Sequence, residues 1–215
     1  MGIYIETLIL YIVLFFSGAA GSFLNNSSTP EGFSAGMVLT RTFLHNIPSL
    51  ALIWYLLLKA KPVKDWEIKP AKKDLISGLI TFPCLLITGF LVAHASSGIG
   101  GAAAVVSIYS PSSPSGWVIL CIFCVSAAYL EESFFRFYLL SRMDELRLNA
   151  PAALAVSTAL FSICHIYEGP WGFLNAVLSG TILAFIFLRY RSLHGIAIAH
   201  SLYNISVYVI NALFA

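Results

Sequence analysis

The sequence predicts an all-α membrane protein built as one bundle of about seven transmembrane helices. Of its 215 residues, 59% are hydrophobic and only 10% are charged, whereas soluble domains average about 25% charged residues. Long apolar stretches recur along the whole chain, and nearly all Lys and Arg residues fall in alternate connections between them. The length suits one helical bundle, so we treat residues 1–215 as a single integral membrane domain.

The seven predicted spans are the apolar stretches at residues 3–24, 35–58, 75–95, 117–140, 151–168, 171–188 and 194–214. A span needs about 20 mainly apolar residues, so the fifth and sixth are short. The first stretch lacks a basic segment before it and a small-residue cleavage site after it. We therefore interpret it as a membrane helix and not as a signal peptide.

Ten of the twelve Lys and Arg residues lie in connections that seven spans place on one side of the membrane. They are Lys59, Lys61, Lys64, Lys69, Lys72, Lys73, Arg142, Arg147, Arg189 and Arg191. By the positive-inside rule this side is the cytoplasm, which predicts a cytoplasmic N-terminus and an external C-terminus. The net charge of +2 and the lack of a basic patch interleaved with aromatic residues argue against nucleic acid as a partner.

Three formal charges interrupt the fourth span, in the segment YLEESFFRFY at residues 129–138. A charge at a helix centre costs roughly 2.5–3.5 kcal/mol on insertion scales, so Glu131, Glu132 and Arg136 are expected to face the bundle interior. Glu132 and Arg136 are spaced i, i+4 with the acid first, which favours a helical ion pair. Glu131 lies about 100° around the helix and is left without a partner on its own span.

Polar residues at helical spacing recur in the last spans. The segment ALFSICHIYEG places Phe161 and His165 on one face, four residues apart, and HGIAIAHSLYN does the same for His200 and Asn204. At about 1.5 Å per residue, these groups and Glu131 lie at comparable depths in the membrane. A carboxylate, two imidazoles and a carboxamide can together activate water and stabilise an oxyanion. These later spans therefore offer possible partners for Glu131.

Taken singly, each of these groups also has a structural interpretation, because a lone His or Asn in a span often only hydrogen-bonds a neighbouring helix. His45, His94 and His194 lack comparable polar company and are assigned to structure. Glu168, at the outer end of its span, is expected to be solvated. The four cysteines fall inside apolar runs and are interpreted as small buried hydrophobic residues. It is the combination of polar groups from three spans that favours catalysis.

Three short motifs make the sequence resemble the CAAX protease and bacteriocin-processing (CPBP, or Abi) family of glutamic-type intramembrane endopeptidases. EESFFR matches the motif E-E-x-x-x-R, FSICH matches F-x-x-x-H, and HSLYN matches H-x-x-x-N, in the expected order. The resemblance covers roughly residues 117–210, which would form a family-like catalytic core in the last four spans. It includes similarity to the type II CAAX prenyl endopeptidases, or Ras-converting enzymes. Phe137 departs from the Gly that many members carry after the motif Arg.

The resemblance implies an intramembrane endopeptidase that hydrolyses a peptide bond of a membrane-associated protein or peptide. The implied catalytic residues are Glu131 as general base, His165 on the same water, and His200 with Asn204 at the oxyanion. Glu132, Arg136 and Phe161 would support this site. One Glu and two His could also ligate Zn²⁺, but the H-E-x-x-H spacing is absent. A mechanism without a cofactor is therefore favoured over a zinc-dependent one.

Two other functions fit the same buried groups. One is a non-catalytic immunity or regulatory protein that binds a partner in the membrane. The other is a proton or ion carrier, which is disfavoured because no inverted repeat and no paired broken helices are evident. In every case membrane lipids surround the chain, and a prokaryotic plasma membrane is the expected location.

Overall fold

The computed structural model describes residues 2–16, 32–59, 69–98 and 109–214. Within these ranges the chain forms seven helical segments and no strand, which confirms the predicted all-α bundle. We number the segments α1 (Ile3–Phe16), α2 (35–59), α3 (Lys72–Gly98), α4 (Pro114–Ser141), α5 (Ala150–Ile163), α6 (Gly169–Tyr190) and α7 (Leu193–Phe214).

Four of the described helices are long and apolar enough to cross a membrane. They are α3, α4, α7, and α6 together with the turn before it, at Ile166–Tyr190. The helices α1 and α5 are apolar but shorter. The predicted first span reaches residue 24, and its part after Phe16 lies outside the described residues. The chain is an integral membrane protein whose bundle combines these long helices with shorter ones.

Local capping explains where α4 and α5 begin. The Ser113 hydroxyl accepts a hydrogen bond from the Gly116 backbone N–H at 3.1 Å, and Pro114 follows as the first helical residue. The Asn149 side chain accepts from the Ala152 N–H at 2.9 Å. A capping side chain followed by Pro is a strong start signal for a helix. Helix α4 therefore begins three residues before the predicted span, inside a segment that its Ser and Pro content suggested was a loop.

Contacts of α4 show which helix ends lie together at one end of the bundle. Tyr138 of α4 donates a hydrogen bond to Glu6 of α1 at 2.5 Å. Phe137 packs against Trp54 of α2 and against Phe187 of α6, with ring centres 5.7 and 6.3 Å apart. The ends of α2, α4 and α6 thus lie beside the start of α1. We call this the basic end, because the connections that carry most of the Lys and Arg residues begin there.

The helices α3 and α7 run parallel and approach each other closely at the basic end. Ser77 of α3 donates a hydrogen bond to Ser192 at 2.7 Å, and Ser192 in turn bonds the Asp74 carboxylate. A Cβ on Gly195 would lie 2.0 Å from the Ser77 hydroxyl and 2.3 Å from the Asp74 carbonyl oxygen. Only glycine at residue 195 permits this approach.

We expect Gly195→Ala to lower the stability of the protein by about 1–3 kcal/mol, because the added methyl group forces α3 and α7 apart. Thermal unfolding in detergent would measure the loss. Gly36→Ala is the matched control, since a Cβ there meets nothing within 4 Å. Equal melting temperatures for the Gly195 variant and the wild type would contradict the close approach.

The centre of the bundle is the second half of α4. Residues Ser133–Tyr138 form a π-helical stretch in which every side chain is buried. This stretch packs against α2, α5, α6 and α7. A π-helical turn holds one more residue than an α-helical turn and is frequent at functional sites. The segment that carries the unexpected charges is therefore also the segment that the other helices surround.

Candidate active site

Glu132 and Arg136 form a fully buried ion pair, as their spacing predicts. Arg136 Nη1 lies 3.1 Å from Glu132 Oε1, and neither side chain is exposed. Arg136 Nη2 donates to the Gly180 carbonyl oxygen on α6 at 3.3 Å. The guanidinium also lies over the Phe161 ring, with its central carbon 4.3 Å from the ring centre, a favourable cation–π geometry. The pair joins α4 to both α5 and α6.

Phe161 lies beside the buried guanidinium and beside both histidines. Its ring centre is 4.6 Å from that of His165 and 6.1 Å from that of His200. A Cβ on Gly180 would lie 2.9 Å from the Phe161 ring and 3.5 Å from Arg136 Nη2. Gly180 thus leaves the space that Phe161 and Arg136 fill. The sequence analysis missed this residue, because a single Gly in a span does not show which ring it faces.

His200 bridges the two adjacent glutamates of α4. Its Nδ1 lies 2.8 Å from Glu132 Oε1, and its Nε2 lies 3.8 Å from Glu131 Oε2. The first distance is a short hydrogen bond, in which Nδ1–H donates to the carboxylate, and the second is too long for one. The ring is therefore oriented by Glu132, and its other nitrogen faces the same space as Glu131. Glu132 orients His200 as well as neutralising Arg136.

Glu131 differs from Glu132 in exposure as well as in partners. Its side chain is 23% exposed, whereas that of Glu132 is entirely buried. Among the described residues, the ion-pair contact of Glu131 within 4.0 Å is His200. No ion-pair contact within 4.0 Å joins Glu131 to His165 in the described part of the chain, and their partnership on one water stays a prediction. Helical spacing places residues on a face of their own helix but does not say which of two histidines turns towards a third helix.

His165 ends α5 through its own side chain. Its Nδ1 lies 2.8 Å from the Phe161 carbonyl oxygen, so the ring can donate the hydrogen bond that the helix would otherwise supply. The His165 backbone N–H instead donates to the Ser162 carbonyl oxygen at 2.9 Å. This switch tightens the chain into the turn that follows. The predicted fifth span, 151–168, therefore ends early, and the half-buried His165 lies at the helix terminus.

Asn204 lies on α7 one helical turn beyond His200, as its spacing predicts. It is half-buried, and its side chain forms no hydrogen bond with another described residue. Its carboxamide can therefore present N–H donors to a molecule outside the chain. The residue before it, Tyr203, does have a polar partner, Asn175 on α6.

Glu168 was expected to be solvated, but it is half-buried. It interacts electrostatically with both His165 and Glu131. A Cβ on Gly172 would lie 2.3 Å from Glu168 Cβ and 2.9 Å from its Oε2, so the side chain folds back over the first turn of α6. The sequence analysis missed this because the chain turns sharply at Gly169, where φ is 82°.

The three remaining histidines have partners away from these groups. Tyr129 and His194 Nδ1 are 3.1 Å apart near the basic end. His45 Nε2 lies 3.0 Å from the Leu14 carbonyl oxygen, and His94 stacks on the Phe90 ring on α3. Each contact joins helices or packs along one helix, which agrees with the structural role that the sequence analysis gave them.

The structure brings Glu131 and Glu132 together with His200, and Phe161 lies beside both His165 and His200. A partly exposed carboxylate can accept a proton from water, and an imidazole N–H and a carboxamide N–H can stabilise a developing oxyanion. In the part of the chain that the structure describes, no three His, Cys, Asp or Glu side chains are grouped so that they could hold a metal ion.

A comparison with protein families matches residues 113–206 to the model described as type II CAAX prenyl endopeptidase Rce1-like. The match confirms the resemblance to the CAAX protease family. It contains all four residues to which the sequence analysis gave catalytic roles. The family supports a CAAX-type endopeptidase that acts on a peptide in a membrane environment. No curated protein and no solved structure gives a significant match to the chain.

Proposed function

From the match of residues 113–206 to the type II CAAX prenyl endopeptidase (Rce1-like) family model, we propose that Glu131 and His165 activate water for peptide-bond hydrolysis. His200 and Asn204 stabilise the oxyanion in this mechanism. Glu132 and Arg136 hold His200 in place from α4. The substrate is a membrane-associated protein or peptide.

The observation that carries the proposal is the division of labour between the two adjacent glutamates. Glu132 is buried and bonded to both Arg136 and His200, so it is committed to partners within the protein. Glu131 keeps 23% of its side chain exposed and faces His200 Nε2 at 3.8 Å. That distance leaves both groups able to contact a third molecule. A water and a scissile carbonyl group are the molecules that this pair of groups suits.

The proposed reaction balances without an added reactant. Glu131 takes a proton from water as the water oxygen bonds to the scissile carbonyl carbon, and the carbonyl oxygen becomes an oxyanion. Nε2–H of the doubly protonated His200 and the Asn204 amide donate hydrogen bonds to that oxyanion. When the tetrahedral intermediate collapses, the C–N bond breaks and Glu131 returns its proton to the leaving nitrogen. The products are a carboxylic acid and an amine.

We further propose that the basic end faces the cytoplasm and that the membrane is the plasma membrane of a prokaryote. Loops rich in Lys and Arg stay on the cytoplasmic side. His200 lies seven residues into α7, so the site would be about 10 Å from the cytoplasmic end of that helix. A bond cleaved at this depth lies inside the membrane but close to its cytoplasmic surface.

We expect His165→Ala to lower the rate of cleavage by about 10²-fold or more, because the water loses one of its two proposed partners. Purified protein would be reconstituted in liposomes with internally quenched peptides, each ending in a C-a-a-X sequence with or without a prenylated cysteine. His94→Ala is the matched control, since His94 stacks on Phe90 at a distance from these groups. A fully active His165 variant would contradict the proposed mechanism.

A chelator separates the metal-free mechanism from a zinc-dependent one. We expect the wild-type rate to be unchanged after incubation with a strong chelator such as 1,10-phenanthroline. Loss of activity that added Zn²⁺ restores would overturn the metal-free proposal while leaving the peptidase function in place. Mass spectrometry of the products then identifies the cleaved bond.

A further inference from the structure

Tyr203 joins three helices at the level of the proposed active site. Its hydroxyl oxygen accepts a hydrogen bond from Asn175 Nδ2 on α6 at 3.0 Å. On α3, a Cβ on Gly89 would lie 2.6 Å from the Tyr203 hydroxyl oxygen and 3.0 Å from its ring. The Tyr203 ring therefore packs against the Gly89 backbone on one side, and its hydroxyl group is hydrogen-bonded to Asn175 on the other. Such a seat restricts how α7 can rotate about its own axis.

The bond between Asn175 and Tyr203 is made at a cost to the bundle. The second polar atom of the Asn175 carboxamide, Oδ1, is buried and has no hydrogen-bond partner among the described residues. An unsatisfied buried polar atom is unfavourable, and an apolar side chain would avoid the penalty. Packing of α6 against α7 therefore does not explain why residue 175 is Asn. The hydrogen bond that Asn175 donates to Tyr203 does explain it.

The two proposed oxyanion residues differ in how they are held. His200 is fixed by its 2.8 Å hydrogen bond to Glu132. Asn204 forms no hydrogen bond with another described residue, so the rotation of α7 sets where its side chain is placed. A helix with its side chains has a radius of about 5–6 Å, and a turn of about 20° would move the carboxamide by about 2 Å. A misplacement of about 1 Å can already cost 10²-fold in rate.

We propose that Tyr203, seated against Gly89 and bonded to Asn175, is a positioning residue that directs Asn204 towards the oxyanion. The inference rests on the proposed peptidase function and adds a residue that acts through another. Tyr203 follows His200 by three residues and precedes Asn204 by one, so it holds the turn of α7 that carries both. The hydroxyl group, and not only the ring, is part of the seat.

The test compares Tyr203→Phe with wild-type protein on a quenched peptide that the wild type cleaves in liposomes. We expect kcat to fall about 10-fold while KM stays within about twofold, because substrate binding does not use the oxyanion donor. Tyr208→Phe is the matched control on the same helix, since residue 208 uses its backbone carbonyl oxygen, and not its hydroxyl, to accept from Ser110. The control is expected to keep the wild-type kcat.

A double variant separates positioning from general loosening of the bundle. If Tyr203 acts through Asn204, adding Tyr203→Phe to Asn204→Ala lowers kcat no further. Losses that multiply in the double variant would overturn the inference, and so would a wild-type kcat for Tyr203→Phe. If Tyr203→Phe does not fold, Asn175→Ala provides the same comparison with the Tyr203 ring still present. An inactive wild type would instead contradict the proposed function itself.

Discussion

Glu131→Gln is expected to abolish peptide-bond hydrolysis, with a loss of about 10²–10⁴-fold or more. The amide has nearly the same shape as the carboxylate but cannot take a proton from water. Because Glu131 is partly exposed and has no hydrogen-bonded partner on its own helix, the substitution should leave the fold intact. The rate of cleavage in liposomes and the melting temperature, measured on the same preparation, would establish both points.

The matched control for this variant is Glu145→Gln. Glu145 is also a partly exposed carboxylate, and it pairs with Arg142 at 3.1 Å beside the basic end. Its loss should not affect the rate. Peptides that accumulate in cells carrying the Glu131 variant would identify natural substrates. A biological effect that persists with Glu131→Gln would instead favour the non-catalytic immunity or regulatory role, and proton or ion flux in liposomes would favour a carrier.

Arg136→Met is expected to destabilise the protein by about 3–5 kcal/mol, the second large effect. The substitution roughly keeps the length of the side chain but removes the guanidinium that pairs with the buried Glu132 carboxylate. His200 Nδ1 remains as a hydrogen-bond donor to Glu132 Oε1, but Glu132 Oε2 has no partner among the described residues. The bond to the Gly180 carbonyl oxygen is lost as well. Denaturant or thermal unfolding in detergent would measure the change.

Arg189→Met, at an exposed position near the end of α6, is the control for loss of a cation. A further comparison replaces Glu132 and Arg136 together by Leu and Met, which removes both charges from the interior. This double variant should recover much of the stability but no activity, because His200 loses the carboxylate that orients it. An Arg136→Met protein as stable as the wild type would contradict the role given to the pair.

The sequence predicted the fold well because membrane insertion leaves strong patterns in a single chain. Long apolar stretches marked the helices, and the i, i+4 spacing of Glu132 and Arg136 predicted an ion pair that the structure contains. Helix ends were less predictable. Ser113 extends α4 backwards by capping, and the His165 ring shortens α5 by bonding the Phe161 carbonyl oxygen. Each effect depends on a single polar side chain, and the pattern of apolar residues does not predict it.

The arrangement of the site could be predicted only in part from sequence. Spacing grouped Glu131, His165, His200 and Asn204 at similar depth but could not choose the histidine that faces Glu131, because helix rotation depends on neighbouring helices. The structure turns His200 towards both glutamates. The contact of the Glu168 side chain with Gly172 follows a turn at Gly169, where φ is positive, and the spacing of residues did not predict it either.

The complete burial of Ser133–Tyr138 has a consequence for how a substrate could reach Glu131. On this half of α4 neighbouring helices cover every side chain, so no route passes along it. The half of α4 before Glu131 is different, because Val118 and Ile122 there are 60% and 46% exposed. In the proposed peptidase, a peptide would therefore reach Glu131 from a direction other than the second half of α4, where the buried charge pair leaves no passage.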